Sequence, residues 1–535
     1  MPLAFCHNPF MFHRSRRFPS LAALVATAAL AAGCGSAPQT ASPSATAMPS
    51  ATAPEPEASP AVAATPSPTL APTPSPTPAP VPFVPVADFR SSDTKVDATA
   101  LAAIAAGTNK TYASLEVVSS DAAGILAALQ LDPATLGARL VKASTAAALE
   151  SDLAAHHDRL GMLRASQVGP GVRALAWGSA ALFGVGRVTS LESWPLNAAL
   201  DAGTGSAFDP SLTWTAAAGG DIMLDRGVYK VLVTGKKGPD YPFNGGTVAI
   251  TGRYCCSTFD WVVPRSKVVD STPVVRNLFS GANLAMANLE GPAPVNARYH
   301  ADGMTFTFQQ SLLVGLKNAG LDVVSMANNH IGNAGKTGIV QTAAALDKLG
   351  IAHAGAGPTR TVADTPAYFT IDGVKVAFLG FSAFGGYAAG LGSNVAADIK
   401  AARKAGAQVV ITYPHWGTEY KANPNPTQVR WAHAMIDAGA DIVIGNHPHE
   451  AEGMEVYKGK PIWYGLGNFV FDQDWSEFTQ EALLLELTFN GPNLVQAWMH
   501  PILIENKCQP NFLDAASGQV VLNQVFSASK GKLPW

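Results

Sequence analysis

The sequence predicts an α/β protein: a mixed β-sandwich flanked by helices, preceded by a smaller α/β domain. Three observations carry this. From Trp214 onward strand-like apolar runs alternate with helical patterns, which implies βαβ units and sheets buried on both faces. The tail from Ala482 reads as further strands. Between Phe83 and Leu200 short apolar runs alternate with Ala-rich helical stretches.

The first element, residues 1–34, reads as an address. His13, Arg14, Arg16 and Arg17 form a basic segment, and the apolar run Leu21 to Ala32 is too short to span a bilayer as a helix but suits a signal peptide. It ends in Leu30-Ala31-Ala32-Gly33-Cys34, which resembles a bacterial lipobox, although Ala31 takes the place usually held by Leu. Cys34 is therefore expected to be lipidated, making an exported, membrane-anchored lipoprotein that faces the extracytoplasmic side; ordinary cleavage nearby is the other reading. Residues 35–82 form a Pro/Ser/Thr/Ala-rich tract without periodic apolar residues, which cannot offset its chain entropy by burial. At roughly 3.1 Å per residue such a tether reaches on the order of 100 Å.

The small α/β domain is expected over 83–205. Leu115–Val118 and Val172–Ala176 read as strands, with helices near Ala98–Ala106 and Asp121–Leu129. Asp121 suits the N-cap, where its carboxylate would accept from free N–H groups of the first turn. The stretch Leu160-Gly161-Met162 followed by Val172-Arg173-Ala174-Leu175 looks similar to one lobe of phosphate-type periplasmic binding proteins. A packing domain without a ligand is the alternative.

The main domain is expected over 206–535. Its strands fall at Thr215–Leu224, Leu284–Asn288, Asp322–Met326, Val374–Phe381, Gln408–Tyr413 and Asp441–Ile444. Its helices fall at Gln310–Asn318, Thr337–Leu349, Asn394–Ala405 and Thr427–Ala438, and Asp372-Gly373 and Lys458-Gly459 read as hairpin turns.

Composition narrows the function. With 36 Lys+Arg against 39 Asp+Glu and no basic stripe, nucleic acid is not expected as a partner. None of the five cysteines forms a CxxC pair, which argues against a zinc ribbon or thioredoxin-like site. In an oxidising compartment one disulfide is expected, from Cys255 or Cys256 to Cys508.

Residues able to bind metals recur at strand exits: Asp221, Glu290, Asn329-His330, His415 with Glu419, and His447 with His449. Ligand sites of open α/β sheets gather outside the carboxyl ends of strands. A single His there is more often structural than a ligand, but five such pieces in order argue for one site. His447 and His449, an i, i+2 pair, would point to one side if the chain were extended. Carboxylate, amide oxygen and imidazole without thiolate suit one or two divalent ions, Mn, Fe or Zn. Trp416, Tyr420, Trp463 and Tyr464 accompany these blocks as pocket walls or core residues, with core favoured for Trp463 and Tyr464.

The blocks GDIMLDRGV (220–228), ANLEGP (287–292), SMANNH (325–330), HAGAG (353–357), KVAFLGFS (375–382), HWGTEY (415–420) and GNHPHEAEGMEVYKGKPIWYGLGNFVFDQ (445–473) resemble, in order, those of the CapA (poly-γ-glutamate capsule synthesis) family. That family is related to the calcineurin-like metallophosphoesterases, so the resemblance implies a metallophosphoesterase-like fold. It implies that Asp221 and His449 hold a first metal, that Asn329, His415 and His447 hold a second, and that Glu290 bridges them. It implies His330 as catalytic acid, with Arg226, and Glu419 beside it, on the substrate side; a surface salt bridge is the alternative for Arg226. It further implies work on an anionic envelope polymer or a phosphoester, beside capsule-synthesis membrane proteins, as a metal-dependent hydrolase or as a non-catalytic scaffold. Three positions depart from the pattern. Met223 replaces a His expected to help hold the first metal, Asn333 replaces an Asp, and Asn446 replaces a His and is expected only to support the site.

Overall fold

Alternate residues of the central strands feed different layers. Ala216 and Ala218 pack into one core and Ala217 into another; Val376 and Phe378 share a core with them, whereas Ala377 and Leu379 do not. This period of two requires sheets covered on both faces. The structure is a computed structural model that describes residues 80–201, 207–257, 259–392, 394–529 and 533, all within one unit, Ser75–Trp535. The signal segment, Cys34 and nearly all of the expected tether lie outside the described residues.

Two sheets make the main domain. The ten-stranded sheet runs Val263–Asp270, Thr247–Tyr254, Gln509–Leu513, Asn493–Glu505, Glu481–Asn490, Thr213–Ile222, Leu284–Leu289, Val323–Ser325 and Ala352–Ala354, with Asn468–Val470 also paired to Thr213–Ile222. The six-stranded sheet runs Ala367–Ile371, Val374–Ser382, Val409–His415, Ile442–Ile444, Lys460–Trp463 and Met454–Tyr457. Trp214, Met286, Phe378, Ile411 and Ile444 fill the core shared by both. Tyr413 ties them further, its buried hydroxyl donating to the Gly219 carbonyl. Helices Val274–Gly281, Val314–Ala319 and Gly335–Leu349 contribute to the core on the outer face of the first sheet, and Val395–Lys404 and Pro426–Ala438 to that of the second.

Helix ends follow local chemistry. Asp97 caps Ala98–Ala106 through the Ala100 N–H, and Gly107 closes it with φ 71°. Asn425 and Gln428 form a reciprocal capping box on Pro426–Ala438. Asp121 does not cap its helix. Its carboxylate is taken by Arg164, at 2.7 Å from both Nε and Nη2, because a forked charged donor outcompetes a backbone N–H.

The smaller mixed sheet, Leu140–Ala143, Ser114–Val118, Arg159–Arg164, Pro80–Asp88 and Val172–Ala174, has its own core around Phe83, Leu115, Leu149 and Met162. Pro80–Pro82, expected as the end of the tether, already pair with Asn197–Ala199. The Glu481–Asn490/Asn493–Glu505 hairpin carries the docking of this part. The Gln496 amide accepts from Ala174 N–H (2.8 Å) and donates to the Gly169 and Val172 carbonyls, and Arg173 lies over Trp498.

The cysteine expectation is corrected. Cys255 and Cys256 are bonded to each other at the tip of the Thr247–Tyr254/Val263–Asp270 hairpin, and Cys508 is free and buried. Among the described residues no helix is long and apolar enough to cross a membrane.

Candidate metal centre

Five strands deliver the site, three from one sheet and two from the other. Asp221 lies near the end of Thr213–Ile222, Glu290 one residue beyond Leu284–Leu289, and Asn329 and His330 after Val323–Ser325. His415 ends Val409–His415, and His447 and His449 follow Ile442–Ile444. Gly220 lets the Asn468–Val470 segment come close: a Cβ there would lie 1.8 Å from the Gly467 carbonyl oxygen, which instead accepts from Asp221 N–H. The His447–His449 segment is not extended. The two residues have φ of 97° and 60°, left-handed values that cost on the order of 1–3 kcal/mol each. The two rings stand 6.0 Å apart.

These side chains form three overlapping groups in which the candidate ligand atoms lie within 4.8 Å of one another: Asp221, Glu290 and His449; Glu290, His415 and His447; and Glu419, His447 and His449. Glu290 belongs to two of them. Glu419, expected on the substrate side, thus lies among ligand-capable groups. Asn329 stands beside the second group, with Oδ1 2.9 Å from His415 Nε2. The sequence pieces predicted to hold metal do converge.

Their chemistry suits a cation. Asp221, Glu290 and His415 are completely buried. Neither Glu290 oxygen has a hydrogen-bond partner, and neither has His447 Nδ1. Leaving such atoms buried and unpaired is costly, and a divalent ion would satisfy them together. Burial pushes the Asp221 carboxyl up despite hydrogen bonds from Asn288 and His447 N–H. Burial, then the Asp221 charge, pushes Glu290 up further. Burial and the neighbouring imidazoles push His415 and His449 far down, and burial and His330 bring His447 to about 3. The imidazoles are therefore neutral, the state in which they bind metals.

Two supporting residues escaped the sequence reading. Asn288 donates from Nδ2 to Asp221 Oδ1 at 2.7 Å, and Asn468 Oδ1 meets His449 Nδ1 at 2.9 Å, which turns His449 Nε2 toward Glu290. Both stand inside the quoted blocks, but an Asn beside a strand end carries no signal of its own. Asn446 is buried and donates to the Ile444 carbonyl.

His330 sits above the cluster with Nε2 3.7 Å from Glu290 and its ring 4.1 Å from Phe306. Burial and the Arg226 charge push its pKa down to about 4. Asn333, where the resemblance expects Asp, places its amide 3.2 Å from His330 Nδ1. Arg226 pairs with Asp472 and lies over Phe306 and Phe471. Met223 is buried, its sulfur accepting from Asp225 N–H, so it offers nothing to the cluster. Trp416, Trp463 and Tyr464 are core; Tyr420 stacks on His449.

The fold and site define an α/β sandwich with a potential metal-binding cluster at its strand ends. Residues 215–473 match the family model described as "Bacterial capsule synthesis protein PGA_cap". Over this region the chain is similar to proteins of the CapA family. It is 33% identical over 279 residues to "PGA biosynthesis protein CapA" of Bacillus subtilis, covering 50% of this chain and 65% of that one. It is 37% identical over 185 residues to "Capsule biosynthesis protein CapA" of Bacillus anthracis, covering 32% of this chain and 44% of that one. It is 28% identical over 332 residues to a "Probable polyglutamine synthesis accessory protein" of Mycobacterium tuberculosis, covering 54% of this chain and 84% of that one. The chain thus spans less than two thirds of the two Bacillus proteins. Among solved structures, an ABC-type phosphate transport receptor from Vibrio cholerae aligns at 11% identity over 23% of this chain and 56% of that one, with a TM-score of 0.21, which carries no argument.

Proposed function

We propose that the protein takes part in making, exporting or anchoring poly-γ-glutamate or another envelope polymer, and that its strand-end cluster is a metal-dependent hydrolase site of the phosphoesterase type. The observation that carries the second half is Glu290, wholly buried, without a hydrogen bond, and shared by two ligand-capable groups. Asp221, Glu290 and His449 would hold one ion, and Glu290, His415, His447 and Asn329 another. Bound divalent metal supplies Lewis acidity and a water whose pKa is lowered to about 7. His330 is neutral at pH 7 in the free protein; an anionic phosphoryl group beside it would raise its pKa and let Nε2 hold the proton that the leaving group needs.

We further propose anchoring through two acyl chains at Cys34, since one chain binds a membrane only marginally. The partners proposed are an anionic polymer or phosphoester and membrane proteins of capsule assembly, not nucleic acid. The test is elemental analysis of the purified protein with assays on phosphomonoester, phosphodiester and γ-glutamyl substrates across divalent metals. Bound metal with turnover supports the reading; no turnover of any substrate with any metal removes the hydrolase. A non-catalytic scaffold is then left, a role favoured by the inert Met223.

A further inference from the structure

A cavity of about 380 Å³ adjoins the candidate metal centre, between the tip of the Thr247–Tyr254/Val263–Asp270 hairpin and the Ser476–Phe478 turn. Part of its wall is aromatic. Trp261 and Tyr420 line it with ring centroids 6.3 Å apart and planes at 60°. Trp475 backs them, 6.4 Å from Tyr420 at 70° and 5.6 Å from Phe259 at 79°. These rings do not fill a core, since Phe259 is 60% and Trp261 43% exposed. Rings crossing at large angles present their electron-rich faces from several directions.

The rest of the wall is acidic. Asp260, Glu450 and Glu477 line the cavity and no basic side chain does. Glu477 is held by Arg253, which also serves Glu481. Glu450 is different: only 8% exposed, it lines the cavity, and its carboxylate makes no hydrogen bond or close ion pair among the described residues, with only the Lys421 charge acting on it from nearby. With no donor on it, that carboxylate is free to pair with a cation that enters the cavity. The cavity also touches the metal cluster, because Glu450 follows His449 and Tyr420 stacks on the His449 ring, centroids 6.1 Å apart.

Aromatic faces closed by carboxylates recognise organic cations, and a cleft lined by one sign of charge concentrates the other. A phosphate or carboxylate would be repelled. We infer that this cavity binds an organic ammonium group, carried by a phosphoester of an amino alcohol whose phosphoryl group lies at the metal centre. This deepens the proposed hydrolase reading and rests on it for the phosphoryl half, while the ammonium half stands on the cavity.

Calorimetric titration of the metal-free full chain with choline, against its uncharged isostere 3,3-dimethyl-1-butanol, tests the ammonium half. Choline is expected to bind at least about tenfold more tightly, and Trp261→Ala and Glu450→Gln each to weaken it about three- to thirtyfold. Unchanged metal content in Trp261→Ala reports an intact fold. Equal binding of the two probes, indifference to both substitutions, or tighter binding of an N-acetylglucosamine disaccharide would overturn the inference. With metal, p-nitrophenylphosphocholine should be preferred over bis-p-nitrophenyl phosphate, and Trp261→Ala should erase the preference while sparing the second substrate. Choline binding without turnover of either ester sinks the hydrolase alone; turnover without choline binding sinks the cavity alone.

Discussion

Glu290 and His447 test the metal at the scale of single residues. Glu290→Ala and His447→Ala should each weaken metal binding by at least about a hundredfold, since even partners behind a ligand are worth about ten- to a hundredfold. Atomic absorption after dialysis reads this, with circular dichroism confirming the fold; full ion content in both variants would make the cluster structural. On the proposed reading His330 would hold a proton rather than an ion, so it should behave differently. His330→Asn should lower turnover about a hundred- to ten-thousandfold with metal content nearly intact. A rate within twofold of wild type would exclude it as the acid. These candidates were partly legible because His and carboxylates recur at strand exits. Asn288 and Asn468 were not, because they act only through the atoms they orient.

The Pro426–Ala438 helix illustrates how an element couples to charge. Gln428 completes its capping box by accepting from Asn425 N–H at 2.8 Å, and its Nε2 donates to Glu452 Oε2 at 2.6 Å. Glu452 is almost wholly buried, and burial, with the Glu450 charge opposing the Gln428 bond, brings its pKa to about 8. The folded state therefore keeps a proton that the unfolded chain releases above its ordinary value of 4.5. Stability linked to this group is full below pH ~4.5, falls as pH rises, and is flat above ~8. Glu452→Gln removes the titration, so its urea midpoint should decline less than that of wild type between pH 5 and pH 8. Parallel declines would show that Glu452 is ionised in the fold.

For the molecule as a whole, the smaller sheet is held by polar groups as well as packing. Gln496 is completely buried, and its amide satisfies an N–H and two carbonyls of the 169–174 segment. Gln496→Leu keeps the approximate volume but strands those groups, which costs roughly 1–3 kcal/mol for each left unsatisfied. Limited proteolysis should then cut within 80–201 at lower protease concentration while 213–513 remains protected. Equal resistance of wild type and variant would show that packing around Trp498 suffices.

The sequence alone located the strands and helices it named in the main domain, because apolar periods of two and of about 3.6 are local properties of the chain. It missed Thr247–Tyr254, Val263–Asp270, Ala352–Ala354, Asn468–Val470 and the helix Val274–Gly281. Both hairpin turns fell where Asp372-Gly373 and Lys458-Gly459 stand, since φ is positive at each of those four residues. The order of chemically capable residues at strand exits was equally plain. Only the tertiary structure decided which sheet each strand joins and that Glu419 reaches the group of His447 and His449. It alone brought the distant hairpin tip, residue 261, against Tyr420. Those outcomes depend on contacts between residues tens to hundreds of positions apart, set by the packing of two sheets around a common core, and no local pattern encodes such distances.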